Sequence, residues 1–435
     1  MFSPGRLHKP RSSLLLTFGV GVVAGLIAFL SAGCLRPQQS TKVILRFASA
    51  EPNQEQQAVA ISIVREFEKL HPDIQVETEF GITPRKILVQ IAGGVGPDLF
   101  LWWFDYEPLI KGNAILDLAP LAKETGFDWG VFYPYVVDYY RRGEAIYGMP
   151  MQLKTYCLIY NRAIFDAAKE PYPDASWTWE KYLEVAERLT IRPKRGQGSA
   201  PQFGNGPFAQ FFDYIVKANG GDLLRQENGK FQPDTPENRR ALRMVVALLD
   251  KASPLPEDNA SFGGGSFSQA FLTGKVAMQI APAWMMAVFK DSPISWAVAP
   301  PPSLPDGTRI GIFDEASLVM NAHTTHPREA FEFLEFYASR QAMESFAAQR
   351  NGLAARRDSN GPFLDPSRPG MENYLKAAEE TNLPIKPIFS DGNASYYRSI
   401  LNFEFDRLHT LREISEDEFF RILAQRLNAP KPDIG

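Results

Sequence analysis

The sequence predicts an α/β fold built on a parallel sheet, and three observations carry that expectation. Strand-like and helix-like segments alternate as β-α-β-α-β between Lys42 and Trp103, an order that lays helices on the faces of a parallel sheet. The helical segments repeat apolar residues every three or four positions, whereas the strands alternate or run unbroken. At 435 residues, with 45% hydrophobic and 22% charged side chains, the chain has an ordinary globular balance and the length of two or three domains.

The chain opens on Arg6, Lys9 and Arg11, followed by an apolar run from Leu14 to Leu30, the layout of an export signal. Ser31, Ala32 and Gly33 lead directly to Cys34. This ending resembles a bacterial lipoprotein signal, although Ser31 stands where such signals usually carry Leu. The resemblance implies removal of residues 1–33, a lipid on Cys34, and a tether over 34–41. The protein would then be held on the periplasmic or extracellular side of a membrane. The alternative is a plain membrane anchor, because the run nearly reaches spanning length.

KVILRFAS (Lys42–Ser49) is a short branched-apolar run with strand character. QEQQAVAISIVREFEKLHP then places Ala60, Ile63, Val64, Phe67 and Leu70 on one helical face, which Pro72 ends. DIQVETEF alternates as a strand. PRKILVQIAGG is a helix with Pro84 at its start and Gly93–Gly94 behind it, and PDLFLWW is a third strand. Further on, YGMPMQLKTYCLIYN (Tyr147–Asn161) is a long strand-rich segment, and SWTWEKYLEVAERLT is a helix capped by Ser176 or Thr178. NRRALRMVVALLDKA is an amphipathic helix. FSQAFLTGK is a helix closed by Gly274, with the strands VAMQIAP and SWAVAPPP after it. PREAFEFLEFYAS is helical from Pro327. The box Ser415-Glu416-Asp417-Glu418 starts the last helix.

Residues 1–33 carry three bases and no acid, so the remainder has 43 bases against 50 acids and a net charge of −7. A mildly acidic body without a basic stripe argues against nucleic acid as the partner. With Cys34 lipidated, Cys157 is the one cysteine left. It reads as a small buried hydrophobe on a strand, and no internal disulfide is available.

Several segments together resemble the extracellular solute-binding proteins of carbohydrate ABC importers, the maltose-binding-protein-like family. They are REFEKLHPDIQVE, GVGPDLFLWW, YGMPMQLKTYCLIYNRAIF, SWTWEKYLEVAERLT, FLTGKVAMQIAPAW and HPREAFEFLEFYAS, in the family's order from about residue 42 onward. The resemblance implies a two-lobed α/β clamp with a hinge and several crossovers. Lobe one is expected from 42–152 and 276–322, and lobe two from 153–275 and 323–435. It also implies a monomer that takes a sugar or oligosaccharide, needs no cofactor, and works with ABC permease subunits.

In open α/β sheets the ligand crevice lies beyond the carboxyl ends of the strands, where Trp102, Trp103, Phe104 and Asp105 stand. An indole covers the C–H face of a pyranose, and a carboxylate accepts from its hydroxyls. Trp102 and Asp105 fall on the family's sugar-contacting positions. Trp102 is expected in the cleft; Trp103 points the other way and is open between cleft and core. By the same resemblance Trp284 stacks on the ligand, Phe208 begins an aromatic segment of the opposing lobe, and Tyr396 belongs to a late aromatic segment; Phe208 and Tyr396 are each open between site and core. Lys154 stands where maltose binders carry a carboxylate, so maltodextrin specificity does not transfer. Asp314 and Glu315 replace a Gly-Gly, adding carboxylates near the cleft, and Glu51 after the first strand is a further candidate. Trp177 and Trp179 are assigned to helix-start packing.

Enzymatic patterns fail. GGGSFSQAFLTGK has Gln269 where a phosphate loop needs glycine, and Val276 where it needs Ser or Thr. The five histidines show no metal-ligand spacing, and no G-x-S-x-G occurs. Two alternatives stand beside the sugar receptor: a same-shaped binder of a polyamine or an iron chelate, and a surface-attached polysaccharide-active enzyme.

Overall fold

The computed structural model describes residues 42–193, 200–207, 212–255, 258, 267–384 and 393–430; Cys34 and Phe208 lie outside the described residues. The chain enters on β1 (Val43–Ser49). Helix α1 (Gln54–Leu70) follows, started by Asn53, whose side chain accepts from the N–H groups of Glu55 and Gln56. β2 (Ile74–Phe80), α2 (Pro84–Ala92) and β3 (Leu99–Trp102) complete the first unit. β2 and β3 both pair with β1 in parallel, Val43 opposite Ile74 and Phe47 opposite Leu99. The strand order β2-β1-β3 is the one expected of two successive helical crossovers.

After α3 (Glu107–Lys111) and α4 (Pro134–Tyr140), the 13-residue β4 (Met149–Asn161) organises the rest. At about 3.3 Å per residue a strand of this length spans more than a usual sheet, and its two halves join different partners. Its first half pairs antiparallel with β8 (Gly311–Met320), from Met149 opposite Leu318 to Thr155 opposite Phe313. β8 also pairs antiparallel with β3, Ser317 opposite Trp102. The second half pairs antiparallel with β6 (Val276–Pro282) and β7 (Trp296–Ala299). Between β4 and β6 in sequence come α5 (Trp179–Arg188), β5 (Phe203–Asn205), α6 (Phe212–Ala218), α7 (Pro236–Ala252) and α8 (Phe267–Leu272). β5 lies parallel beside β6.

The pairings therefore define a first sheet, β2-β1-β3-β8-β4, and a second, β5-β6-β4-β7, sharing one strand. Val276–Ala299 sits in the second sheet, because β6 and β7 bond to the far half of β4. The helices α10 (Pro327–Tyr337) and α11 (Arg340–Ala347) return to the first sheet: Phe333 packs 5.8 Å from Phe47 of β1 and 5.1 Å from Phe67 of α1. A short α9 (Met285–Phe289) follows β6. Beyond α11, α12 (Glu372–Glu380) packs under β4, where Thr155 Oγ1 donates to Tyr374 O at 3.1 Å. α13 (Ala394–Phe405) packs against the second sheet's helices, with Phe405 stacked on Phe212 at 3.6 Å. The last helix, α14 (Glu416–Leu427), carries the expected capping box, Ser415 with Glu418.

Candidate functional site

β3, β6 and β8 bring four of the ten expected residues, Trp102, Asp105, Trp284 and Asp314, to the walls of two cavities, which the start of α13 also borders. The larger, about 500 Å³, is bounded by Trp102, Phe104, Asp105 and, from α13, Ser395. The smaller, about 70 Å³, is bounded by Tyr156, Tyr214, Trp284, Asp314 and Asn205, with Trp179 behind. Only the larger falls in the volume range usual for a ligand pocket.

Trp102 borders the larger cavity but is only 4% exposed. Its Nε1–H donates to Asp105 O at 3.2 Å, and its ring meets Phe104 edge-on at 5.2 Å. The residue that presents a ring to solvent is Phe104, 41% exposed. Trp103 is half-buried and tilted against Phe104 at 5.5 Å. Asp105 is half-buried. One carboxylate oxygen accepts from Glu107 N at 3.0 Å. Burial raises its carboxyl above the ordinary value, opposed by the N–H of Glu107 and, from α13, that of Ala394. Asp105, from the first sheet, thus faces a helix that packs with the second.

Trp284 stands half-buried one residue past the β6 Pro282-Ala283 bend. Asp314, on the wall of the smaller cavity, is the cross-strand neighbour of Lys154 in the β8–β4 ladder, so both side chains share one face, although Lys154 is not among the residues that bound that cavity. Tyr156, two residues on from Lys154, shares that face as well. Glu315 faces the other way. It is 2% exposed, accepts from the Tyr140 hydroxyl, and lies 3.0 Å from the Tyr106 hydroxyl, which also donates to Trp102 O at 2.7 Å. Adjacent strand residues point to opposite faces, so of the expected pair only Asp314 reaches a cavity; Glu315 is committed to the core beneath Trp102.

Glu51 accepts from Asn53 N at 2.9 Å and borders a separate small cavity near Phe80 and Gln152, so it shapes the start of α1. Tyr396 is half-buried against Tyr397 at 5.7 Å and bounds neither cavity; its neighbour Ser395 does. Trp177 and Trp179 are buried as expected, Trp179 donating to Ala218 O at 3.2 Å.

The sequence reading missed Tyr156, Tyr214, Arg398 and Asp213. The period-two spacing from Lys154 is enough to find Tyr156, and Tyr214 lies two residues beyond the aromatic run 208–212. Arg398 and Asp213 are 185 residues apart and carry no local signal: Arg398 Nη2 donates to Asp213 Oδ2 at 2.9 Å, and the guanidinium sits 5.7 Å over the Tyr214 ring. Burial, then the negative charges of Asp314 and Asp213, push the Tyr214 hydroxyl up to about 12. Burial works against the charged form of Arg398, and Asp213, then the Tyr214 hydroxyl, then Asp314 together more than offset it. Asp314 of the first sheet thus acts electrostatically on Tyr214 and Arg398 of the second.

Aromatic plates, two carboxylates, an amide and a hydroxyl on the cavity walls suit non-covalent capture of a hydroxylated ligand. Among the described residues no group of three metal-ligating side chains occurs, and no described helix is long and apolar enough to cross a membrane.

A family model for bacterial extracellular solute-binding proteins matches residues 51–344. The chain is 25% identical over 306 residues to the maltodextrin-binding protein MdxE of Bacillus subtilis, covering 67% of this chain and 69% of that one. In fold it is similar to an ABC substrate-binding protein of Listeria monocytogenes solved with cycloalternan: TM-score 0.75, 22% identity, 89% of this chain and 98% of that one. It is also similar to UgpB of Mycobacterium tuberculosis solved with glycerophosphocholine: TM-score 0.71, 18% identity, 88% and 97% covered. These neighbours share the two-lobed architecture.

Proposed function

The chain belongs to the bacterial extracellular solute-binding proteins, and from that premise we propose that it captures a sugar or oligosaccharide between two lobes and delivers it to an ABC permease. Lobe one is the first sheet with its helices, lobe two the second, and β4 and β8 carry the hinge. The exported protein is held to the membrane by a lipid on Cys34.

The observation that carries this reading is convergence. Phe104, Asp105 and Asp314 come from the first sheet, while Trp284, Tyr214 and Ser395 come from elements of the second, and they bound the same two cavities. A ligand touching both sets binds the closed arrangement better than the open one, and that difference alone drives closure. Phe104 lies against the sugar's C–H face with Trp102 supporting it from behind, and Asp105 accepts from hydroxyls. The site does no covalent chemistry. Tethering keeps the loaded receptor near its permease at raised effective concentration.

Calorimetric titration against a panel of mono- and oligosaccharides, polyamines and iron chelates tests the proposal. One sugar binding at micromolar strength or better is expected. Tight binding of an amine or a chelate with no sugar signal would overturn it, as would new reducing ends appearing in oligosaccharide incubated with the protein.

A further inference from the structure

We infer that the ligand is amphipathic, a sugar bearing an apolar substituent, and that the substituent lies in the groove between α2 and α3; this rests on the sugar reading above. The larger cavity does not stop at Phe104 and Asp105. It runs along Leu88, Ile91 and Ala92 of α2 and Pro108 and Leu109 of α3 as far as His323. Its two ends differ in chemistry. The mouth carries a carboxylate and a hydroxyl, Asp105 and Ser395, while the side chains along the groove are aliphatic until His323. A second sugar ring laid there would give up hydration at each hydroxyl without a side chain to replace it. An alkyl or aryl group gains from the same surface.

The groove is not core left uncovered by chance. Leu88 on its wall is 39% exposed, a large apolar side chain left to solvent beside the aliphatic lining of Ile91, Ala92, Pro108 and Leu109, as at an interaction site. The occupant is the ligand's own extension, because the groove opens at the mouth where Asp105 of lobe one meets α13 of lobe two. Anything filling it is continuous with the sugar and is enclosed by the same closure.

Methyl, hexyl and octyl glycosides of glucose, galactose and mannose, titrated below their micellar concentrations, separate the two claims. For a head group that binds, affinity should rise about tenfold for every two methylenes that the groove encloses. Leu88→Asp, a change at an exposed position, should abolish the rise and leave the methyl glycoside unaffected. Val89→Asp, exposed on the same helix but outside the groove, should preserve the rise. Equal affinity for methyl and octyl glycosides in the wild type, or a rise that survives Leu88→Asp, overturns the inference. If no glycoside binds, fluorescence of the apolar dye anilinonaphthalene sulfonate decides. Binding lost in Leu88→Asp upholds the groove while the sugar reading falls; no binding, or binding unchanged in Leu88→Asp, removes both.

Discussion

The motif LWWFD places three rings and a carboxylate in succession, and strand geometry decides which of them meets solvent. β3 ends at Trp102, so Trp102 keeps the inward direction of the strand while Phe104, past its end, turns out. From sequence Trp102 is the ring expected in the cleft; in the fold it is 4% exposed while Phe104 is 41% exposed. Glu315 is expected near the cleft beside Asp314, but strand alternation turns it inward, and no local pattern reveals the Tyr106 and Tyr140 hydroxyls that meet it there. Glu315→Leu should orphan the Tyr140 hydroxyl and cost about 1–3 kcal/mol in a denaturant titration, while sugar affinity changes less than about threefold. Asp105 makes the opposite prediction. Its carboxyl is raised by burial, so protonation and loss of sugar affinity should set in above the ordinary Asp value of about 3.9. In Asp105→Asn that acid limb should vanish and affinity at neutral pH should fall about tenfold. For folding the sign reverses: a carboxyl whose native value is raised favours the folded state most in acid and loses that contribution as pH rises. The same Asp105→Asn variant should therefore keep its denaturation midpoint at neutral pH or raise it.

Helices and strands with strong periodicity were legible almost to their ends. In α1, Ala60, Ile63, Val64 and Phe67 are buried as spacing required, and α14 begins on its Ser-x-x-Glu box. Ser415→Ala should cost about 1 kcal/mol in thermal or chemical denaturation, a loss that measures how far the box stabilises that helix. Leu70 shows the limit. Spacing put it on the apolar face, yet it is 65% exposed, because it closes the last turn, where α1 has run past the surface it covers. The partners of β4 were equally hidden. Its sequence announces a long buried strand, but local pattern does not say that one half bonds to β8 and the other to β6, since strand pairing is a long-range choice. That choice moved Val276–Ala299 into the second sheet.

Composition and periodicity alone leave open how many lobes the chain builds; the ordered family segments imply two, but not that two sheets share one strand. Arg398, bonded to Asp213 and within electrostatic reach of Asp314 on β8, appears only once the chain is folded. The proposed function requires that a single sugar is gripped from both sides. Calorimetric titration of the best-binding sugar into Phe104→Ala and Ser395→Ala, one side chain from each proposed lobe on the larger cavity, tests it most directly. Each variant should bind about tenfold or more weakly than wild type while unfolding at an unchanged denaturant midpoint. If either variant binds as tightly as wild type, the sugar is not held between the two lobes.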